Sequence, residues 1–85
     1  MEVYNYRQVK KALKELKPFR MKKAIRAFIS NANFFKGCYH VYSYDKLILV
    51  INVNTRRAMY GDGKFYSWRT RRLQDAINEV FNRII

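Results

Sequence analysis

The stretch 38-CYHVYSYDKLILVINVN-54 limits the fold more than any other part of the chain. On either side of it, apolar residues recur at helical spacing. Within it they alternate, and many are β-branched or aromatic. Successive side chains of a strand point to opposite faces, so this alternation predicts strands. It reads as two strands, 38–45 and 46–54, joined by a tight turn near Tyr44-Asp45-Lys46. Leu47, Leu49, Ile51 and Val53 would share one face. Ile48 and Val50 on the other predict a strand covered on both sides at that end. Asn54-Thr55-Arg56-Arg57 turns into a third strand over about 57–61, and Gly61-Asp62-Gly63 closes it.

Helical spacing frames this region. Tyr6, Val9, Leu13 and Leu16 fall at i, i+3, i+7 and i+10, predicting a helix over 4–17 with Asn5 as N-cap. Pro18 ends it or opens the next. Met21, Ala24, Ile25, Phe28 and Ile29 predict a second helix over about 18–31, fading through Ser30-Asn31-Ala32-Asn33, and Gly37 turns the chain out of it. Leu73, Ala76, Ile77, Val80, Phe81 and Ile84 mark the last helix, capped by Ser67 or Thr70. The expected fold is one α+β domain over residues 1–85, ordered α-α-β-β-β-α, with two N-terminal helices, a three-stranded antiparallel sheet and a C-terminal helix. Phe65 and Trp68 are expected inside, with Tyr60 or Tyr66 partly free. Phe81, Ile84 and Ile85 complete either the core or a dimer contact, so the oligomeric state stays open.

Charge narrows the partners. Eighteen Lys and Arg face six Asp and Glu, a net +12. Such a balance costs self-repulsion in a compact chain and points to a polyanion. Arg7, Lys10, Lys11, Lys14 and Lys17 form one stripe on the first helix, and Lys22, Lys23 and Arg26 continue it on the expected second. Solvated helices usually interleave signs at i, i+4; this stripe mostly does not. A second group joins Arg56 and Arg57 to Lys64, Tyr66, Arg69, Arg71 and Arg72. Arg69, Arg71 and Arg72 fall at the start of the last helix, where the macrodipole disfavours cations; they read either as an anion site or as partners of Asp62, Asp75 or the C-terminal carboxylate.

Catalytic and metal sites find little support. Cys38 and His40 would share a strand face, but no third group orients them as nucleophile and base. One Cys and one His do not make a protein-only zinc site, and no cofactor is expected. Asp75 and Glu79 lie four apart, flanked by Arg71 and Arg83, as in a salt-bridged helix face. GDGK lacks the spacing of a phosphate loop and the Ser or Thr after its lysine; Gly61 and Gly63 are expected to supply positive φ. No signal-peptide pattern opens the sequence, Leu47–Ile51 is too short to span a bilayer, and a lone cysteine fits a reducing compartment.

The pieces 42-YSYDKLILVINVNTRRAMY-60 and 66-YSWRT-70 resemble segments of short proteins from bacteriophages and plasmids of Gram-positive bacteria. The resemblance covers about residues 39–75. It implies a mobile-element origin and a place inside a bacterial host cell, and no established activity. Those proteins often carry a His after the second motif; Arg72-Leu73 stand there here, so no role of that His transfers. A three-stranded sheet followed by a helix is also similar to the arm-binding domain of phage integrases, whose sheet enters the major groove. The matching face here would carry Cys38, His40, Tyr42, Asn52 and Asn54.

The expectation is a non-enzymatic binder of DNA or RNA, with DNA first, using the two basic groups for phosphates. The alternative is an antagonist of a host protein or nucleoprotein defence complex, such as a CRISPR effector, acting through protein or RNA contact. Membrane-surface binding is disfavoured, because the apolar face of the first helix is needed for the core.

Overall fold

Asn5 caps the first helix, α1 (Tyr6–Glu15), as the sequence predicts. Its side chain accepts from the Gln8 N–H at 2.9 Å, and the Gln8 side-chain oxygen accepts from the Tyr4 N–H at 2.6 Å. Both bonds satisfy backbone donors at the helix entry. Leu16 ends the helix in the left-handed region at φ 53°. The Lys17 N–H then closes on the Ala12 carbonyl at 2.9 Å, and Pro18 prevents a further turn. The structure, a computed structural model, describes residues 1–31 and 36–85.

The expected helix over 18–31 is not there. Its described residues form a hairpin of β1 (Phe19–Met21) and β2 (Ile25–Ile29), turned by Lys22 at φ 52°. Ala32 and Asn33, read as the fading end of that helix, lie outside the described residues. Residues 24–29 satisfy both periods. Ala24, Ile25, Phe28 and Ile29 fit a helix, while buried Ile25 and Ala27 alternate with exposed Arg26 as in a strand. Pairing decides between them. All five residues of β2 pair antiparallel with β3 (Tyr39–Ser43), which satisfies their backbone groups and gives the side chains a sheet face.

Two further strands, β4 (Lys46–Ile51) and β5 (Ala58–Gly61), complete a five-stranded sheet in sequence order, antiparallel throughout. α2 (Trp68–Phe81) follows. Among the described residues the order is thus α-β-β-β-β-β-α: five strands rather than three, and one N-terminal helix rather than two. Residues before α1 tie onto the sheet as well. Val3 donates to the Arg20 carbonyl, and Arg20 donates to the Met1 carbonyl, each at 2.9 Å.

Both helices cover one sheet face. Val9, Ala12 and Leu13 of α1 and Leu73, Ala76 and Ile77 of α2 share a buried cluster with Phe19, Ile25, Ala27, Tyr39, Val41, Leu49 and Ile51. Each large aliphatic side chain contributes about 1.5–3 kcal/mol. The Tyr39 hydroxyl, in that core, donates to the Lys17 carbonyl at 2.8 Å, and burial pushes its pKa well up. The helices run side by side in the same direction, with Tyr6 against Arg72 and Lys10 against Glu79. A buried bond of 2.7 Å between the Ser43 and Thr70 hydroxyls fastens the start of α2 to the end of β3.

A bulge alters the expected faces of β4. Val41 pairs with Leu49, but the next residue, Tyr42, pairs with Leu47. Ile48 is the extra residue, and both Ile48 and Leu49 join the core. Leu47 therefore stands with Tyr42 on the outer face rather than with Leu49. Asn52 and Asn54 follow the strand instead of lying in it. The Asn52 side chain accepts from the Asn54 and Thr55 N–H groups at 2.9 and 3.1 Å and shapes the turn.

Gly61 and Gly63 do not adopt the positive φ expected of them; among glycines only Gly37 does, at 77°. They make room instead. A Cβ on Gly61 would meet Cγ2 of Ile85 at 2.2 Å and the Ile84 carbonyl at 3.3 Å, and one on Gly63 would meet the Ile85 backbone at 3.3 Å. Asn78 holds Ile85 there: it accepts from the Ile85 N–H at 2.9 Å and donates to the Ile85 carbonyl at 3.0 Å. Phe81, Ile84 and Ile85 pack against the core, half-buried. Gly61→Ala is expected to cost about 1–3 kcal/mol by overpacking. In an Ile85→Ala background, which lacks Cγ2, the same substitution should cost less. Urea unfolding of the four proteins measures this coupling; equal costs in both backgrounds would contradict the contact.

Candidate functional site

The segment 60–73 divides into a latch and a cationic helix start. The Lys64 N–H donates to an Asp62 carboxylate oxygen at 2.9 Å, and the Tyr66 hydroxyl donates to the other oxygen. The Gln74 side-chain NH2, buried on α2, donates to the Asp62 and Lys64 carbonyls, each at 2.8 Å. Asp62 is a turn-former here. Burial alone would raise its pKa. The bonds from Tyr66 and the Lys64 N–H, together with the charges of Lys64 and Lys46, hold it below its ordinary value. The same bond pushes the Tyr66 hydroxyl up to about 12, because ionisation would forfeit it. The Lys46 ammonium lies 5.7 Å from the centre of the Tyr66 ring. Of the two candidate contacts here, Tyr66 is committed to this latch through its hydroxyl, and Lys64 joins it through its backbone N–H and carbonyl.

Ser67 caps α2, accepting from the Thr70 N–H at 3.2 Å. The arginines that follow diverge. Arg71 turns back to the Gly63 carbonyl at 3.5 Å, with its guanidinium 5.6 Å from the Phe65 ring centre. Arg69 donates to the Tyr44 hydroxyl at 3.2 Å. The Arg72 guanidinium lies over the Tyr6 ring at 4.4 Å. The three guanidinium groups thus face different neighbours, each an aromatic ring, a hydroxyl or a carbonyl.

Arg69 and Arg72 open onto a groove of about 510 Å³, between the start of α1, the β1–β2 turn and the start of α2. Tyr4, Tyr6, Trp68 and Lys22 line it with them. Among the described lining residues none is acidic, and neither helix has an acid in its first turn. Trp68 is 77% exposed and Tyr4 78%. Phe65, 53% exposed, meets Trp68 edge to face at 5.1 Å. The expectation that Phe65 and Trp68 lie in the core is therefore wrong, because the core was filled by the unforeseen strands. Helical geometry held the signal for Trp68. It lies nine residues before Ile77, about 180° around the helix from that core position. Tyr4 gave no comparable signal.

The stripe on α1 is partly as expected. Arg7, Lys11 and Lys14 are exposed. Lys10 pairs with Glu79 of α2 at 2.6 Å, so Glu79 serves an interhelix contact rather than Arg71 or Arg83. Lys17 lies beyond the helix and pairs with Glu15 at 3.3 Å. The depressions adjoin. Arg72 and Lys10 share one with Asp75 and Glu79, and Lys10, Lys11 and Lys14 share the next with Glu15 and Glu79. Arg56, at φ 60° in the β4–β5 turn, donates to the Lys14 carbonyl in the last turn of α1, where a cation complements the macrodipole. Lys22, Arg69, Arg72, Lys10, Lys11, Lys14 and Arg56 thus follow one another along a track. Arg57 is exposed in the same turn as Arg56.

Lys22 and Lys23 occupy the β1–β2 turn rather than a helix. Arg26 goes to the outer sheet face, its guanidinium 4.7 Å from the Tyr42 ring centre and 5.8 Å from that of Phe28. Arg20, which the sequence did not single out, pairs directly opposite Arg26. That face carries Arg20, Arg26, Phe28, His40, Tyr42 and Tyr60, in place of the expected set with Cys38, Asn52 and Asn54. Cys38 and His40 are buried, and the His40, Phe28 and Tyr42 rings stack at 5.7–6.4 Å. Two added strands made β3 an inner strand, which took His40 away from solvent.

Among the described residues, no group of three His, Cys, Asp or Glu is placed to hold a metal ion, and no helix is long and apolar enough to cross a membrane. No protein-family model, curated protein or solved structure matches the chain.

The Asp62 latch has a defined pH signature. Its folded pKa lies below the ordinary 3.8, so its contribution to stability is full above about that pH and is lost as pH falls through the folded value. Tyr66→Phe removes the largest lowering influence and leaves burial in place. Asp62 should then titrate at higher pH, followed by its carboxyl carbon-13 shift, and acid unfolding should begin earlier. An unmoved titration would contradict the latch.

Proposed function

We propose that this protein binds nucleic acid, DNA in the first instance, through phosphate contacts and without catalysing a reaction on it. The observation that carries the reading is the continuity of the track from Lys22 through Arg69, Arg72 and Lys10 to Lys14 and Arg56. Ion pairs among the described residues join Lys10 to Glu79, Lys17 to Glu15 and Arg20 to Glu2. Lys11, Lys14, Lys22, Arg69 and Arg72 are in none of these, so their charges face solvent at a net +12. Both helix N-termini lie at the groove end of the track, and their dipoles add to its positive field.

A phosphate backbone fits such a track better than a compact anion, because each contact releases counterions along its length. The non-enzymatic reading rests on the burial of Cys38 and His40 in the sheet, away from the groove. The motif resemblance and the free, buried Cys38 support action inside a bacterial cell.

Five such contacts predict a slope of about −4 for log binding constant against log salt. Fluorescence anisotropy with a labelled DNA, from about 50 to 200 mM salt, measures it. Lys11→Ala and Lys14→Ala together should reduce the magnitude of that slope by about 2. These side chains are exposed, so folding should persist. No binding at the lowest salt, or binding indifferent to salt, would overturn the proposal.

A further inference from the structure

We propose that the groove at the head of the track takes the unstacked bases of single-stranded nucleic acid, so that the protein prefers single strands to duplex. The inference rests on the nucleic-acid reading above and adds the strand state of the partner. Its basis is the pairing of ring faces with cations. Trp68 and Tyr4 each leave about three-quarters of their surface in water while lining one concavity with Lys22, Arg69 and Arg72. Phosphate binding alone has no use for exposed indole and phenol faces. A base stacked on them would bury that surface, with its flanking phosphates within reach of the three cations.

The groove suits this occupant in size and charge. About 510 Å³ lies in the range of small-ligand sites, enough for a nucleotide. The absence of an acidic side chain among the described lining residues leaves nothing there to repel a phosphodiester. Arg72 is already laid on the Tyr6 ring, and Arg69 is held by the Tyr44 hydroxyl, so two cations are positioned before a ligand arrives. Duplex bases are stacked on one another and cannot also lie on Trp68 or Tyr4. A duplex would meet the cations but not the rings.

Trp68 is the chain's single tryptophan, so its emission reports on this groove. The test titrates the protein with oligothymidylate and oligouridylate of about ten nucleotides, a duplex of equal nucleotide count, and polyglutamate. Both single strands should quench Trp68 and bind at least about tenfold tighter than the duplex at matched salt. Trp68→Ala and Tyr4→Ala should each weaken single-strand binding by roughly tenfold to a hundredfold and narrow the single-strand preference. Trp68→Phe, which keeps a ring, should recover part of the loss. Equal affinity for duplex with unchanged emission would overturn the groove's role and leave the phosphate-binding proposal standing. Quenching by polyglutamate as strong as by the single strands would overturn the base-stacking assignment. Failure of every nucleic acid to bind would overturn both proposals.

Discussion

The burial of two apolar helix stripes on the same face of one sheet is the constraint from which the rest follows. Val9, Ala12 and Leu13 of α1 and Leu73, Ala76 and Ile77 of α2 find their partners in alternate residues of four strands. Two helices side by side on that face must expel their cations to the rim and the outer surface. They also run in the same direction, which brings two positive helix ends together beside the β1–β2 turn. The groove arises at that junction. Ser43 and Thr70 bond beneath it, and Tyr44 and Arg69 bond at its edge. The segments 42-YSY-44 and 66-YSWRT-70 are the two pieces joined there. Their serines and threonine have a structural task, capping a helix and fastening it to the sheet.

Much of the frame was legible because its causes are local. Asn5 and Ser67 cap helices through bonds within three residues, and the Tyr44-Asp45 turn joins two runs rich in β-branched, aromatic and aliphatic residues. What was missed depends on distant contacts. Residues 24–29 fit either period, and the turn Met21-Lys22-Lys23-Ala24 has no Gly, Asn or Asp to announce a hairpin. Only pairing with β3 decides it. The glycines of GDG were visible as special positions, but their neighbour is Ile85, more than twenty residues away. The bulge at Ile48 sits in a continuous apolar run, where alternation carries no phase.

The candidate site shows the same division. Spacing alone drew the stripe of α1, yet Lys10 and Lys17 are held by carboxylates and Arg56 by the Lys14 carbonyl. Arg69, Arg71 and Arg72 were visible as an excess at a helix start; their divergence was not, because it depends on Tyr44, Gly63, Phe65 and Tyr6. Trp68, one of the aromatics of the groove, was expected in the core. In a domain of 85 residues most aromatics are expected in the core. With five strands, Trp68 is left in solvent beside two arginines.

The central claim is that partner contacts follow the groove and the α1 track rather than the outer sheet face, where Arg26 lies against Tyr42 and Phe28. Mapping of backbone amide shifts by nuclear magnetic resonance, during titration with a short single-stranded oligonucleotide, tests it most directly. The account predicts perturbations at Tyr4–Lys14, Lys22 and Trp68–Arg72, with Arg26, Phe28, His40 and Tyr42 unmoved. Perturbations centred on Arg26, Phe28 and Tyr42, with Trp68–Arg72 unmoved, would contradict it.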